Sequence, residues 1–292
     1  MVDDVTLIGF GEAGHSFAAA AEWKTRARVY DRLTDEQATR AAKEADYREA
    51  GVDGAESLAA AVDGAEIVLS LVTADQALPV ATAAAGRIVR GALYCDMNSV
   101  APATKRAAAA AIEAAGAHYI DVAIMAPAYP GGLAVPLLLS GREADSAAAR
   151  LGRLGFTDLK MVGPRVGQAS AIKMIRSVIV KGIEALTAEA VLAADAAGIT
   201  EEVLASLDAS EKSAPWTKRA DYNLDRMIVH GLRRAEEMEE VVKTLKDLGV
   251  EPVLSRATAR RQREIGGLAL GHSAAGLFNK IEQIRGRKAD AA

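Results

Sequence analysis

Three glycines, an aspartate and a lysine stand where their types and spacing could do chemistry. The run Gly9-Phe10-Gly11-Glu12-Ala13-Gly14 follows the apolar stretch Val5–Ile8 directly and opens the alanine-rich segment His15–Glu22. A second strand candidate ends in Asp31, 22 residues after Gly9. In that spacing Gly9 permits a tight turn, Gly11 lets backbone approach a diphosphate, and Gly14 lets helix pack closely on strand. The N–H groups at the start of the following helix suit an anion. Asp31 would accept hydrogen bonds from ribose hydroxyls and repel a 2′-phosphate, which favours NAD. Arg32 could bind that phosphate instead, so NADP stays open. A lone glycine motif is weak and can be a structural turn; strand, helix and acid together make it a dinucleotide fingerprint. The lysine is Lys173, set among apolar residues in Ala171-Ile172-Lys173-Met174-Ile175. Burying an ammonium lowers its pKa and makes it a usable proton donor or acceptor. The plainer alternative is a lysine that snorkels from an interface helix. Arg176 and Ser177 share its face at helical spacing. Arg176 could grip a carboxylate or phosphate through two nitrogens, or simply pair with a nearby acid.

The elements that must position these groups follow from hydrophobic patterning. Strand candidates are Val5–Phe10, Ala27–Asp31, Glu66–Val72, Ala92–Met97, Tyr119–Met125, Pro136–Ser140 and Leu159–Val162. The first four are near-continuous apolar runs separated by helix-length segments, the pattern of parallel strands buried on both faces. The fold class expected is therefore α/β, an N-terminal doubly wound, mostly parallel sheet of Rossmann type. Val72-Thr73-Ala74-Asp75 follows the third of these strands, where Val72 and Thr73 would face the cofactor or Thr73 would simply cap the next helix. After Val162-Gly163-Pro164 the pattern turns helical, which divides the chain into residues 1–163 and 164–292. The second part opens on a run of about 45 Å, Gly167–Ala197. Further helical runs are expected at Glu201–Leu207, Pro215–Arg226, Leu232–Leu248, Pro252–Leu268 and Gly271–Ile284, with Gly249 and Gly266-Gly267 as stops.

Composition excludes several classes of function. A formal net charge of -4 gives no electrostatic reason for a nucleic-acid or anionic-membrane partner. The basic groups at Arg256–Arg263 and Lys280–Lys288 read as solvated helix faces. The single cysteine, Cys95, rules out an intrachain disulfide and fits a reducing compartment. It lies in an apolar run and reads as a core residue rather than a nucleophile. A strand beginning at Val5 leaves no room for a signal peptide, and no apolar stretch approaches the roughly 20 residues of a membrane span. A cytoplasmic protein is expected. No metal site is expected either: His15, His118, His230 and His272 are scattered, with no ligand-spaced motif.

The order of these features resembles the β-hydroxyacid dehydrogenase family, which includes the 3-hydroxyisobutyrate and 6-phosphogluconate dehydrogenases. The resemblance runs from Gly9–Gly14 through Asp96-Met97-Asn98-Ser99-Val100-Ala101-Pro102 and Asp121–Gly132 to Gly163–Ser177, nearly the whole chain. It is similar to a branch described only as phosphogluconate-dehydrogenase-like. The resemblance implies a Rossmann domain, a long interdomain helix, a helical domain and a homodimer. It also implies an NAD(P)-dependent oxidoreductase that moves a hydride between nicotinamide and a hydroxyl or carbonyl carbon of a small molecule such as a hydroxy acid. Lys173 matches the family's catalytic lysine. Asn98, in the place of the family's Asp-x-Ser-Thr element, can bond a carboxamide or a substrate hydroxyl.

The departures bear on substrate. Two asparagines that often follow the lysine are here Arg176 and Ser177. A carboxylate-holding Ser-Gly-Gly is here Met125-Ala126-Pro127, which offers almost no donors. Met125, Tyr129 and Pro130 would then wall a larger or more apolar substrate. A further family lysine maps onto His230, either a second proton-handling group or a structural histidine. Two other readings stay open: an imine reductase on the same fold, where the lysine is often replaced, and a non-catalytic dinucleotide-binding sensor.

Overall fold

The computed structural model describes residues 5–23, 26–210, 214–270 and 273–290. They fall into two compact units, Met1–Val178 and Ile179–Ala292. The first carries strands β1 (Val5–Ile8), β2 (Arg28–Tyr30), β3 (Asp53–Gly54), β4 (Ile67–Ser70), β5 (Leu93–Asp96), β6 (His118–Ile124), β7 (Leu137–Ser140) and β8 (Leu159–Gly163). They form one sheet in the order β3-β2-β1-β4-β5-β6-β7-β8. Every neighbouring pair is parallel except β6 with β7. All seven expected strands form within two residues of the expected limits. The one missed, β3, is two residues long and exposed, too short to leave a hydrophobic signature.

Helices α1 (Glu12–Ala20), α2 (Gln37–Ala50), α3 (Leu58–Val62), α4 (Ala77–Ala85), α5 (Pro102–Ala114), the single turn α6 (Ala128–Gly131) and α7 (Ala144–Arg153) connect the strands. Alternate strand residues feed two cores. Leu7, Leu69 and Cys95 join Phe17, Trp23 and Leu151 on one face. Ile8, Val68 and Tyr94 join Ala81, Ala108 and Ile112 on the other. Burial on both faces explains why β1, β4 and β5 read as continuous apolar runs. Cys95 lies fully inside the first core.

The long helix is α8 (Gln168–Ala197), followed by α9 (Thr200–Ser210), α10 (Trp216–Asp247), α11 (Val253–Gly266) and α12 (Leu277–Asp290). Strand gives way to helix at Gly163 as expected, but the compact units divide inside α8, because its first turns are fastened to the sheet. Two expected helices, Pro215–Arg226 and Leu232–Leu248, are one continuous α10. Gly231 is not a break. A Cβ there would lie 2.5 Å from the Gln262 carbonyl oxygen and 2.9 Å from Gly266 Cα, so both glycines serve the close approach of α10 and α11. Gly271 and His272 lie outside the described residues. Among those described, no helix is long and apolar enough to cross a membrane.

Candidate active site

β1 lies between β2 and β4, so the chain leaves it in one direction first and in the other later. A crevice opens at the carboxyl ends of the strands at such a switch point. Here it has a volume of about 260 Å³ and is lined by Gly9, Gly11, Asp31, Arg32, Val72 and Thr73, with Tyr30 and Gln76 among the others. Six of the expected cofactor residues therefore meet in one place.

The glycines do what their spacing requires. Gly9 has φ +91°, and a Cβ on it would stand 2.5 Å from the Leu71 carbonyl oxygen at the end of β4. Any side chain would be both strained and in collision. Gly11 is the N-cap of α1 and carries no side-chain cap, and a Cβ there would meet nothing within 4 Å. The space beside Gly11 is thus open, and the first N–H groups of α1 have no helical acceptor of their own. Gly14 is buried, and a Cβ on it would lie 3.0 Å from the Gly9 carbonyl oxygen. Phe10 contributes its peptide alone, since its ring is in the core. Glu12 and Ala13 begin α1 without lining the crevice, and Glu12 is exposed. Thr73 precedes a short 3-10 turn, Ala74–Gln76, but makes no capping hydrogen bond. The simple capping role is therefore not what its hydroxyl does.

Asp31 is held at both oxygens. Phe10 N donates to Oδ2 at 2.8 Å and Leu33 N to Oδ1 at 3.0 Å. Each oxygen keeps a lone pair for a ribose hydroxyl. Arg32 is exposed beside it.

Deeper in the sheet lies a network that the sequence reading missed. Asp96 and Asp121 are register partners across β5 and β6, and both are fully buried. Two adjacent carboxylates inside a sheet require a cation. Lys105 of α5, itself 0% exposed, supplies it: Nζ donates to Asp96 O at 2.5 Å and Asp96 Oδ1 at 2.9 Å, and stands 3.4 Å from Asp121 Oδ1. Tyr119 donates to Asp96 Oδ2 at 2.5 Å, and burial first, then the Asp96 charge, raises its pKa. The available signal was an acid in each of two apolar runs, with a lysine in the alanine-rich helix between them.

This network also holds Asn98 and the start of α8. Asp96 Oδ1 accepts from Asn98 N at 2.9 Å, and Asn98 Nδ2 donates to Ser70 Oγ at 3.0 Å. Asn98 Oδ1 is buried and has no hydrogen-bond partner among the described residues. A buried acceptor without a donor costs free energy until a ligand supplies one. Asp121 Oδ2 accepts from Gly167 N, Ser170 N and Ser170 Oγ, each at 3.0 Å, while Ser140 Oγ accepts from Ala169 N at 3.0 Å. These bonds satisfy the orphan donors at the start of α8 and fix its first turn. Lys173 follows on the next turn, half-buried. Ser177 Oγ donates to the Lys173 carbonyl at 2.9 Å, so its proton is engaged with the helix backbone while its lone pairs stay available.

The remaining expected residues are more open. Arg176 is exposed, Met125 is half-buried at the end of β6, and Tyr129 is 72% exposed. His230 lies on α10, half-buried, in the second unit. Among the described residues no three His, Cys, Asp or Glu side chains gather in a metal-holding group.

Two family models match the chain: the NAD-binding domain of 6-phosphogluconate dehydrogenase over residues 4–145, and a domain of unknown function over residues 194–265. A conserved hypothetical protein from Sinorhizobium meliloti 1021 is 35% identical, covering 98% of this chain and 97% of its own, with a TM-score of 0.60. A conserved protein of unknown function with structural similarity to 3-hydroxyacid dehydrogenases is 30% identical, covering 90% and 96%, with a TM-score of 0.56. The imine reductase from Myxococcus stipitatus, in complex with NADP+, is 23% identical over 96% and 99%, with a TM-score of 0.71. A V8 variant of that reductase was solved with NAD+. At that identity the last likeness is one of fold.

Proposed function

Because the chain belongs to the β-hydroxyacid dehydrogenase family, in the branch with a 6-phosphogluconate-dehydrogenase NAD-binding domain, we propose that it is an NAD-dependent oxidoreductase acting on a hydroxyl or carbonyl carbon. The fold is that of NAD(P)-binding oxidoreductases; the cofactor preference, the reaction and the residue roles are the proposal. The observation that carries it is the pairing of an uncapped glycine turn with a carboxylate fixed beside it. Gly9, Gly11 and the start of α1 leave a cradle that a Cβ would fill, which suits a diphosphate. Asp31, held by two N–H groups, would take the ribose hydroxyls and oppose a 2′-phosphate. A bound nicotinamide would supply hydride transfer.

Lys173 would exchange the alcohol proton, Asn98 Oδ1 would accept from a carboxamide or substrate hydroxyl, and Arg176 would hold an anionic substrate group. Ser177, with its proton on the helix backbone, would serve as an acceptor. Met125 and Tyr129 would form an apolar wall. Along α8 the exposed residues Ile172, Ile175, Ile179, Ile183 and Leu186 recur at helical spacing, which supports a homodimer built on that helix. His230, in the helical unit, would be a second proton-handling or orienting group. The donor-poor Met125-Ala126-Pro127 favours a second reading, reduction of an imine, whose substrate needs no carboxylate clamp.

Calorimetric titration with NADH and NADPH, on the wild type and Asp31→Ala, tests the cofactor half. Tighter NADH binding that loses its preference in the variant is expected; no binding of either nucleotide refutes the proposal. A panel of 3-hydroxy acids and cyclic imines tests the rest. Lys173→Ala should keep NADH affinity and lose at least about a hundredfold in turnover on the active substrate. Unchanged turnover removes Lys173 from the mechanism, and tight NADH binding with no turnover in the panel would leave a sensor.

A further inference from the structure

Helix α2 presents two buried residues, Lys43 and Tyr47, one turn apart on one face. The Tyr47 ring meets the edge of Phe10, with centroids 5.4 Å apart at 70°. Lys43 is only 9% exposed, although nothing in the proposed chemistry uses it. Its ammonium donates to the Phe10 carbonyl oxygen at 3.0 Å and to Asp46 Oδ2 at 2.7 Å. Asp46 is held below the usual carboxylate range, chiefly by that bond from Lys43. A buried ammonium is costly, and here it is shared between the Asp46 carboxylate and one main-chain carbonyl inside the glycine turn.

That carbonyl matters because of what lies across its peptide. Phe10 and Gly11 are joined by a trans bond, since the cis bond among the described residues is Tyr129-Pro130. In a trans peptide the C=O and N–H point in opposite directions. With Phe10 O pinned on the α2 side, the Gly11 N–H is turned away from Lys43. Gly11 lines the crevice through its backbone alone. The preceding peptide is pinned as well, because Phe10 N donates to Asp31 Oδ2 at 2.8 Å. The glycines allow the turn many conformations, and these two bonds select one of them.

We propose that Lys43 is a cofactor-positioning residue, which orients the Gly11 N–H toward a bound diphosphate by holding the Phe10 carbonyl from behind. This rests on the dinucleotide-binding reading above and adds a residue outside the glycine fingerprint to it. The role is specific to the diphosphate: ligands that bridge two phosphates need that N–H, whereas a nucleoside monophosphate held mainly by Asp31 does not.

The test is calorimetry of the full chain with NADH, ADP-ribose and AMP, with thermal melts of each variant. Lys43→Met should weaken NADH and ADP-ribose by about tenfold each and AMP by less than about twofold. Lys43→Arg, which keeps a charged donor, should recover most of the loss. If Lys43→Met does not fold, Asp46→Asn tests the same point. It removes the partner that aims the ammonium from a half-exposed position, and should weaken ADP-ribose severalfold without affecting AMP. Unchanged ADP-ribose affinity, or an equal loss for AMP, overturns the proposal. A wild type that binds no dinucleotide at all refutes the cofactor reading itself, an outcome visible before any variant is made.

Discussion

Lys105→Met is the perturbation that most directly tests how the site is held. The lysine and both of its carboxylate neighbours are fully buried. Removing the ammonium takes two donations from Asp96, at 2.5 and 2.9 Å, and the 3.4 Å charge contact from Asp121. Asp96 keeps Tyr119 and Asn98 N. Asp121 Oδ2 keeps its donors from Gly167, Ser170 and Ser140. Asp121 Oδ1, which already has no hydrogen-bond partner among the described residues, loses its cation as well. Breaking a buried pair from one side costs about 3–5 kcal/mol, because the surviving charge stays buried. Methionine fills most of the lysine's volume, so little of that cost is cavity. For a unit of this size, about 2–4 °C is lost per kcal/mol, and the melting temperature should fall by about 6–20 °C. Urea and thermal melts followed by circular dichroism measure it. The double variant Lys105→Met/Asp121→Asn removes the orphaned charge and should regain at least about 1 kcal/mol relative to additivity. A loss below about 1 kcal/mol in the single variant, or strict additivity in the double, refutes the view that one ammonium neutralises both acids.

Three further outcomes are expected. Burial pushes the Cys95 thiol up to about 12, so the native protein should resist thiol reagents at pH 8 and react fully in denaturant; labelling at equal rates in both would contradict its place in the core. Gly231→Val should destabilise the helical unit by about 1–3 kcal/mol in denaturant melts, since its side chain meets the Gln262 carbonyl and Gly266 of α11; a stability gain would mean the helices can separate freely. Burial raises the Glu189 pKa, but bonds from Ser255 Oγ, Leu254 N and Ser255 N at the start of α11 outweigh it and hold the carboxyl below its ordinary value. A depressed folded pKa contributes stability above the unfolded value of about 4.3, lost as pH falls through the folded one. Melts of the wild type and Glu189→Gln should therefore differ at neutral pH and converge in acid, and a constant gap would refute the linkage.

The sheet was legible because strands buried on both faces leave period-free apolar runs, and α8 because thirty residues of helix need no tertiary help to be seen. The crevice at the end of β1 was legible for a different reason. Gly9 is demanded by its positive φ and Gly14 by the close approach to the Gly9 carbonyl, properties local enough to show in spacing. What did not show was anything decided by register. Asp96 and Asp121 are far apart in sequence and meet only because β5 and β6 pair as they do. Lys105 read as a lysine in an alanine-rich helix until the strands beneath it were placed. Lys43 was hidden likewise, since a lysine at the middle of a polar helix looks solvated until α2 packs against Phe10. The two helical runs expected within α10 proved to be one, and the role of Gly231 between them shows only once α11 packs against it.

The two halves of the site also differ in how far they can change. The proposed cofactor half is made of backbone groups set by Gly9, by Asp31 and by buried side chains, so a side chain at Gly9 strains the turn and loss of Asp31 takes the acceptor from Phe10 N. The proposed substrate half is made of side chains that carry little of the fold: Tyr129 is 72% exposed, Arg176 is exposed and Met125 is half-buried. Exchanges at such positions cost little stability. The departures from the family pattern, Met125-Ala126-Pro127 and Arg176-Ser177, fall in this second half. Asp121 and Ser170 fix the start of α8 and so set where Lys173 stands on the next turn. A chain built this way can change what it reduces or oxidises without rebuilding how it holds its cofactor, and a substrate other than a small 3-hydroxy acid is what that arrangement leads us to expect.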